Sequence, residues 1–387
     1  MVKLTELSTQ EERLEKLREI VKPFRKRAME AEAEGRLAHE NFEDLKRSGY
    51  PALSIPKVYA GSGISLVELL ELQIEIAKAD GSTGLGIGWH MGIMMNLGET
   101  DPWPEGKYNK LVGEVLEHGV LINNAASEPA SGSPSWGNLP QTTARETADG
   151  WVLNGHKSFT TLASILDYII VSARIEGTEK VGNFLVSKKR EGVQVVHTWD
   201  SISMNGTGSD DVVFENVKLD PDDFVQYRPI GPKLPHGWLL HIPAAYYGIA
   251  LAARDEALKF ASSYSPGHME GTISDIPSVK ERIGQIELRL MESRVFLFDM
   301  AKKWDEGDEA TRKGMTEELG VAKLIVVNKA MEVVDLAMRI VGARSLSAKN
   351  PLQRCYRDVR AGLHNPPMDD MTIQKLANKA LAEFKNE

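Results

Sequence analysis

The 387-residue sequence predicts an α+β fold in which a β-rich middle domain lies between two helical domains. Two observations support this prediction. Both flanks repeat apolar residues at helical spacing, whereas the middle alternates short apolar runs with tight-turn residues. We expect an N-terminal α-helical domain over residues 1–119, a β-barrel or β-sandwich over 120–230, and a C-terminal four-helix bundle over 231–387.

The N-terminal domain begins with a strongly helical stretch from about Thr9 to Ser48, where apolar residues recur between charged ones. A later helix is predicted to start after Ser65, whose side chain caps it, and Glu68 is placed to complete a capping box. A glycine-rich apolar stretch follows at 81–92. It holds no GxGxxG after a strand, so it does not support a dinucleotide-binding fold, and we expect its small residues to permit close helix packing. The helical block ends near His118.

The middle domain is expected to consist of short strands joined by tight turns. Asp149-Gly150 and Asn154-Gly155 both predict hairpin turns, because type I′ turns require positive φ at their two central positions. Apolar runs that predict strands follow at 168–171, 183–186, 193–196 and 212–214.

The C-terminal domain is expected to contain four helices. They are predicted at about 238–263, 277–304, 311–341 and 372–384. The first carries alanine and glycine along one face, and Pro277 marks the start of the second. Four helices of this length in succession favour an antiparallel bundle.

The composition argues against several functional classes. A net charge of −9 and the lack of a basic stripe give no reason to expect nucleic-acid binding. Cys355 is the only cysteine, so we expect no intrachain disulfide, no metal site and a reducing, cytoplasmic location. No apolar run reaches 18 residues, and the N-terminus lacks the apolar stretch of a secretory signal, so no membrane association is expected.

Four short motifs follow one another along the chain. They are Ile-Pro-Lys-Val-Tyr-Ala-Gly-Ser-Gly at 55–63, Ala-Ser-Glu-Pro and Ser-Gly-Ser within 126–133, Gly-Trp-Val-Leu-Asn-Gly-His-Lys-Ser-Phe-Thr-Thr at 150–161, and a strand pair at 206–217. Each is weak alone, but their order resembles the acyl-CoA dehydrogenase superfamily of flavoenzymes over nearly the whole chain. The resemblance implies that family's fold and a homotetramer.

The resemblance also implies a flavin, FAD with FMN as the alternative, between the β-domain and the helical bundle. Ser127 matches a position that meets the pyrimidine side of the flavin ring. Phe159, Thr160 and Thr161 match the segment that packs on and hydrogen-bonds the ring, and Ser133 matches a position near the phosphates of cofactor or acyl-CoA. Donors aimed at the ring suit a reduced flavin, which is negative near N1. The alternative is that Ser127 and Thr161 satisfy turn backbone and Phe159 belongs to the core.

One contact expected for FAD is missing. Dehydrogenases of the family use the Arg and Phe of an RxxFG motif to hold the FAD of a neighbouring subunit, but Pro266 and Met269 stand at these positions. The adenosine half of FAD is therefore held differently, or the flavin is FMN or exchangeable.

The reaction depends on the residues of the C-terminal tail. A dehydrogenase in fatty acid metabolism needs a carboxylate that removes the α-proton of an acyl-CoA thioester while FAD accepts hydride from the β-carbon. The two positions that hold this glutamate in the family fall on Pro366 and near Trp238. Asp369 and Asp370 are candidates to replace it, but they equally suit the N-terminus of the last helix.

The same tail also resembles the oxygen-using branch of the superfamily, which includes dibenzothiophene monooxygenase. Its WRDVR…HxP pattern matches Arg357-Asp358-Val359-Arg360 followed by His364. The resemblance places His364 near the flavin edge where a C4a-hydroperoxide forms, and an imidazole there can hydrogen-bond a peroxide or deprotonate a substrate. The alternative is a histidine that only bonds loop backbone. This hypothesis implies a flavin reductase as partner, whereas a dehydrogenase needs an electron acceptor.

Side chains of two predicted helices are candidates to line a pocket for a small-molecule substrate, and an acyl-CoA is one candidate substrate. They are Trp89, Trp238, His241 and Tyr246. Apolar residues at helical spacing more often belong to the core. A third hypothesis is a non-enzymatic protein of the same fold, and the retained ring-facing positions argue against it.

Overall fold

Helices form both ends of the structure and a β-sheet forms its middle, as the sequence predicts. The computed structural model describes residues 2–100, 103–104, 106–130, 139–228, 235–267 and 270–386. Two positions discussed above, Ser133 and Met269, lie outside these ranges.

The N-terminal helices are α1 (Gln10–Ile20), α2 (Phe24–Ala33), α3 (His39–Arg47), α4 (Leu66–Ala79), α5 (Gly81–Thr100) and α6 (Lys107–His118). Thr9 and Glu12 form a capping box at the start of α1. Ser65 caps α4 by accepting the Glu68 N–H at 3.1 Å, as predicted. The predicted capping box is wrong, because the Glu68 carboxylate pairs with Arg13 at 2.5 and 3.0 Å and joins α1 to α4 instead.

The strands are β1 (Ile122–Ala125), β2 (Thr143–Thr147), β3 (Gly150–Lys157), β4 (Tyr168–Ile175), β5 (Val181–Ser187), β6 (Val193–Val196), β7 (Asp211–Leu219) and β8 (Phe224–Tyr227). They form one sheet in the order β6-β7-β3-β2-β4-β5-β8, and β1 pairs in parallel with β4. Each of the four apolar runs predicted to be a strand lies inside β4, β5, β6 or β7.

The two predicted hairpin turns have different outcomes. Asp149-Gly150 does join β2 to β3, with Thr147 paired to Gly150. The Asn154-Gly155 prediction is wrong, because β3 continues through this pair and shifts register there against β7, which is a β-bulge. Glycine is required at 155 for close packing: a Cβ atom would lie 2.3 Å from Thr142 Oγ1. An Asn-Gly pair therefore marks a bulge here.

The C-terminal helices are α7 (His241–Ser263), α8 (Pro277–Glu306), α9 (Glu309–Lys313), α10 (Thr316–Val341), α11 (Pro351–Val359) and α12 (Asp369–Asn386). α7, α8 and α10 pack against one another, and α4 packs on α7. The third predicted helix is divided into α9 and α10, and α11 was not predicted. Most side chains of α12 are exposed.

The interface between α5 and α7 depends on glycine, as predicted for the stretch at 81–92. A Cβ atom on Gly88 would lie 2.3 Å from His241 Nδ1, and one on Gly92 would lie 2.1 Å from the Trp238 ring. These two glycines therefore let α5 approach the start of α7 closely.

No helix within the described ranges is long and apolar enough to cross a membrane. The same residues contain no cluster of three histidine, cysteine or acidic side chains arranged to bind a metal ion. Cys355 is a free thiol, and burial raises its pKa to about 12.

Candidate functional site

Two segments that carry sequence-predicted cofactor contacts lie next to each other. The first follows β1 and contains Ser127, and the second follows β3 and runs from Ser158 to Leu162. The Ser158 N–H donates to the Ser127 carbonyl at 2.9 Å and joins the two segments. The structure therefore brings Ser127 close to the Phe159–Thr161 segment, although they are more than 30 residues apart in sequence.

Phe159 is the most unusual residue of this pair of segments. The residue is 68% exposed, and its φ of +56° is a conformation that costs a bulky residue about 1–3 kcal/mol. Trp199 lies edge-on to it at 6.1 Å between ring centroids. Leu162 also has positive φ. Phe159 is therefore not a core residue, and a strained, exposed aromatic ring is a candidate ligand contact.

Ser158 and Thr160 each bury a hydroxyl that has no hydrogen-bond partner among the described residues. Thr160 is fully buried, and its backbone N–H donates to the Asp210 carbonyl at 3.1 Å. Unpartnered buried hydroxyls are uncommon in folded proteins and suggest an absent polar ligand or water. These two fit a cofactor site, although Thr160 lies deeper than Phe159.

Thr161 begins a chain of three hydroxyl groups. Its Oγ1 lies 3.0 Å from Ser209 Oγ, which lies 2.9 Å from Thr207 Oγ1. Thr207 is also 2.9 Å from the Met204 carbonyl, which accepts from it. Because the Thr207 proton goes to this carbonyl, Ser209 donates to Thr207 and Thr161 donates to Ser209. The oxygen of Thr161 is thus left to accept a hydrogen bond from an N–H or O–H group of a ligand.

Trp89, Trp238 and His241, proposed from the sequence as substrate contacts, form one cluster. The Trp89 ring lies 4.9 Å from that of His241 and 6.0 Å from that of Trp238, and Trp238 stacks on His241 at 5.8 Å. His241 is fully buried without a described hydrogen-bond partner for either nitrogen, and burial lowers its pKa to about 3. Tyr246 contacts the tail, where its hydroxyl donates to Asn365 Oδ1.

The three candidate catalytic residues of the tail differ in exposure and in hydrogen bonding. The side chain of His364 is exposed, and only its backbone N–H has a described hydrogen bond, to the Ala361 carbonyl at 2.9 Å. Asp369 is the first residue of α12, and its carboxylate accepts from Lys323 at 3.1 Å and Asn328 at 2.8 Å. Asp370 is exposed and accepts the Met371 N–H at 2.8 Å. Asp369 is thus engaged in a helix-terminal ion pair, whereas His364 has a free imidazole.

Three family descriptions match the chain in the order of its domains. Residues 8–99 match "Acyl-CoA dehydrogenase, N-terminal domain", residues 123–217 match the middle domain, and residues 240–363 match the C-terminal domain. The chain belongs to the acyl-CoA dehydrogenase family.

Individual relatives within this family have different names. The chain is 46% identical to "Putative acyl-CoA dehydrogenase YdbM" of Bacillus subtilis (strain 168), over 95% of this chain and 96% of the relative. It is 27% identical to dibenzothiophene monooxygenase of Mycolicibacterium goodii, over 91% and 90%. Its structure is similar to that of TdsC from Paenibacillus sp. A11-2 with FMN and indole, with a TM-score of 0.83, 25% identity, and coverage of 96% and 97%.

Sequence reasoning missed a buried ion pair that adjoins Ser127 and the Phe159–Thr161 segment, which together form the predicted flavin face. Lys157 Nζ lies 2.7 Å from Glu128 Oε1, and the two side chains are 0% and 3% exposed. Burial lowers the pKa of Lys157, while its hydrogen bond to Glu128 opposes this effect. Both residues stand in motifs that the sequence displays, but nothing in their spacing indicates that they pair.

A second missed cluster connects the tail to the N-terminal domain. Arg354 pairs with Asp80 at 2.8 Å and with Glu32 at 3.2 Å. Asp358 accepts the Met204 N–H at 2.7 Å, and burial raises the pKa of Asp358 to about 6. The sequence signal for this cluster was the tail motif that contains Arg354 and Asp358. These contacts fix the position of α11 relative to the Met204–Ser209 segment.

Proposed function

We propose that this family member is a flavin-dependent oxidoreductase that binds the flavin against Ser127, Phe159 and Thr161. The observation that carries the proposal is the exposed Phe159 ring, held at positive φ beside the Ser127 segment and the hydroxyl chain. When bound, a flavin supplies an acceptor for hydride or single electrons. The residues on this face orient the ring and offer hydrogen bonds to its polar edge. The Thr160 hydroxyl, which is buried without a described partner, is proposed as a further contact, and Ser133 is proposed near the phosphates.

FAD is the flavin that we propose, with FMN as the alternative. Family membership supports FAD, and the FMN in the TdsC structure supports the alternative. Titrating the purified protein with each flavin and following flavin fluorescence decides between them. Failure to bind either flavin, at concentrations that saturate a characterised family member, would contradict the proposal.

The first candidate reaction is α,β-dehydrogenation of an acyl-CoA thioester. The 46% identity to YdbM supports it. Trp89, Trp238, His241 and Tyr246 would line the substrate pocket. A base must take the α-proton, and Asp370 is the more accessible of the two tail carboxylates because Asp369 is engaged by Lys323.

A second candidate is oxygenation of a small molecule with reduced flavin supplied by a reductase. A specific observation favours it: the position of the usual glutamate is Pro366, Asp369 is already ion-paired, and the His364 imidazole is free. Here His364 would hold or move a proton beside the flavin edge. The 27% identity to dibenzothiophene monooxygenase supports this candidate as well.

One pair of assays separates the two reactions. Anaerobic addition of short-, medium- and long-chain acyl-CoA bleaches the visible absorbance of the bound flavin in a dehydrogenase, and Asp370→Asn should abolish the bleaching. In an oxygenase, chemically reduced flavin with O₂ and an aromatic acceptor gives an oxygenated product, and His364→Ala should lower its yield while Asp370→Asn leaves it unchanged. Bleaching that persists in Asp370→Asn excludes this carboxylate as the base.

We also propose that the protein assembles as a homotetramer. Exposed apolar side chains support this assembly, since large apolar patches usually mark interfaces. They lie on α8 (Leu288, Met291 and Val295) and on α12 (Ile373, Leu376, Leu381 and Phe384). Sedimentation velocity gives the oligomeric state, and a monomer at micromolar concentration would contradict the proposal.

A further inference from the structure

The Lys157–Glu128 ion pair contributes little net stability, because the cost of desolvating two charges offsets most of their attraction. Apolar side chains of similar volume often replace such pairs without loss of stability. Lys157 is the last residue of β3, and Glu128 lies in the segment after β1, yet both are almost completely buried. The segments that the pair connects therefore indicate its role.

The Glu128 carboxylate connects three parts of the chain. Besides Lys157, it accepts the Gln141 N–H at 2.7 Å, the Thr142 N–H at 3.0 Å and the Thr142 hydroxyl at 2.7 Å. Gln141 and Thr142 immediately precede β2. One carboxylate thus fastens the segment after β1 to the start of β2 and to the end of β3.

Both members of the pair are directly adjacent in sequence to the predicted flavin face. Ser127 precedes Glu128, and Ser158 follows Lys157 and donates to the Ser127 carbonyl at 2.9 Å. Phe159, with its positive φ, is only two residues beyond Lys157. The ion pair therefore sets the separation and orientation of the two segments that carry Ser127 and Phe159.

We propose that Lys157 and Glu128 are positioning residues that hold the Ser127 and Phe159 segments in the geometry that binds flavin. This inference rests on the proposed function. Neither side chain needs to touch the flavin. Loss of either partner should misplace the face by a fraction of an ångström to an ångström, and such displacements weaken ligand contacts on the order of tenfold to a hundredfold.

The test compares Lys157→Met and Glu128→Gln with Glu68→Gln, which breaks another buried ion pair, that of Glu68 with Arg13 between α1 and α4. Flavin dissociation constants are measured by fluorescence at a temperature where circular dichroism shows every apoprotein to be folded. The midpoint potential of bound flavin is measured at saturation. We expect at least tenfold weaker flavin binding and a shifted potential in the first two variants, with Glu68→Gln within twofold of wild type.

Flavin affinity within twofold of wild type in both Lys157→Met and Glu128→Gln would overturn the inference, as would an equal loss in Glu68→Gln. If a single variant fails to fold, the double variant Lys157→Met with Glu128→Gln removes the unpaired buried charge. We expect it to regain thermal stability and still bind flavin more weakly than wild type, and full recovery of affinity would also overturn the inference. A wild-type protein that binds no flavin fails the proposed function itself, a result distinct from variants that bind normally.

Discussion

Replacing His90 with glutamine should remove part of the acid sensitivity of this protein. His90 is fully buried on α5, where its Nε2 lies 3.1 Å from the Pro51 carbonyl and its Nδ1 accepts the Ile122 N–H at 3.1 Å. A carbonyl can only accept and a backbone N–H can only donate, so the neutral ring carries its proton on Nε2. Burial lowers the pKa of His90 from 6.5 to about 4.

The sign of the effect follows from proton binding in the two states. Between pH 6.5 and about 4 the unfolded chain binds a proton at this histidine and the folded chain does not, so the free energy of unfolding falls as the pH falls. The full difference in pKa corresponds to roughly 3 kcal/mol, of which about 2 kcal/mol is lost between about pH 7.5 and pH 5. The contribution of His90 to the free energy of unfolding is fully present above the pKa of the histidine in the unfolded chain. It is lost as the pH falls towards the lower pKa of His90 in the folded protein.

Glutamine retains one donor and one acceptor but does not titrate. Urea unfolding at several pH values from about 7.5 to 5 should therefore show that wild type loses about 2 kcal/mol more than His90→Gln. His241, with its pKa lowered to about 3, acts in the same direction, and Asp358, with its pKa raised to about 6, acts in the opposite one. Both are present in the two proteins, so they cancel in the comparison. His118→Gln, at an exposed histidine, is the matched control. Parallel pH profiles for wild type and His90→Gln would refute the reasoning.

Substitutions at three further positions test close packing and helix capping. Gly155→Ala places a Cβ atom 2.3 Å from Thr142 Oγ1 and should displace Thr142, whose hydroxyl donates to Glu128 of the buried ion pair. Both the melting temperature and the flavin affinity should therefore fall. Unchanged flavin affinity would contradict this prediction. Gly88→Ala, with its Cβ 2.3 Å from His241 Nδ1, should lower the free energy of unfolding by about 1–3 kcal/mol in urea, and a neutral result would show that α5 moves freely. Ser65→Ala removes the cap of α4 and should cost about 1 kcal/mol in the same assay, whereas Ser65→Asp should restore it.

The elements were largely predictable because their signals are local. Apolar spacing located the long helices, and the strand runs each fell inside an observed strand. The errors occurred where a distant residue decides the conformation. Asn154-Gly155 forms a bulge because Thr142 lies against Gly155. Glu68 does not complete the predicted capping box because its carboxylate pairs with Arg13. Neither contact is visible within a short window of sequence.

The candidate site shows the same division. Motif order alone pointed to Ser127, Phe159 and Thr161, and the structure places these residues on neighbouring segments joined by a backbone hydrogen bond. Their roles in flavin binding stay predictions, as do those of His364, Asp369 and Asp370. The sequence does not distinguish the surroundings of the tail residues. The structure does, because Asp369 forms an ion pair with Lys323 and the His364 side chain is exposed.

By itself, the sequence determined the order of helical and β-rich domains, the family and the segments that form the candidate flavin face. Apolar periodicity and turn preferences act over a few residues, so a short window of sequence is enough to detect them. Only the tertiary structure decided that Lys157 meets Glu128 and that Arg354 meets Asp80. Buried charges require a partner because desolvation is costly, but that requirement does not say which distant residue supplies it. The fold makes that choice when it brings the segments together.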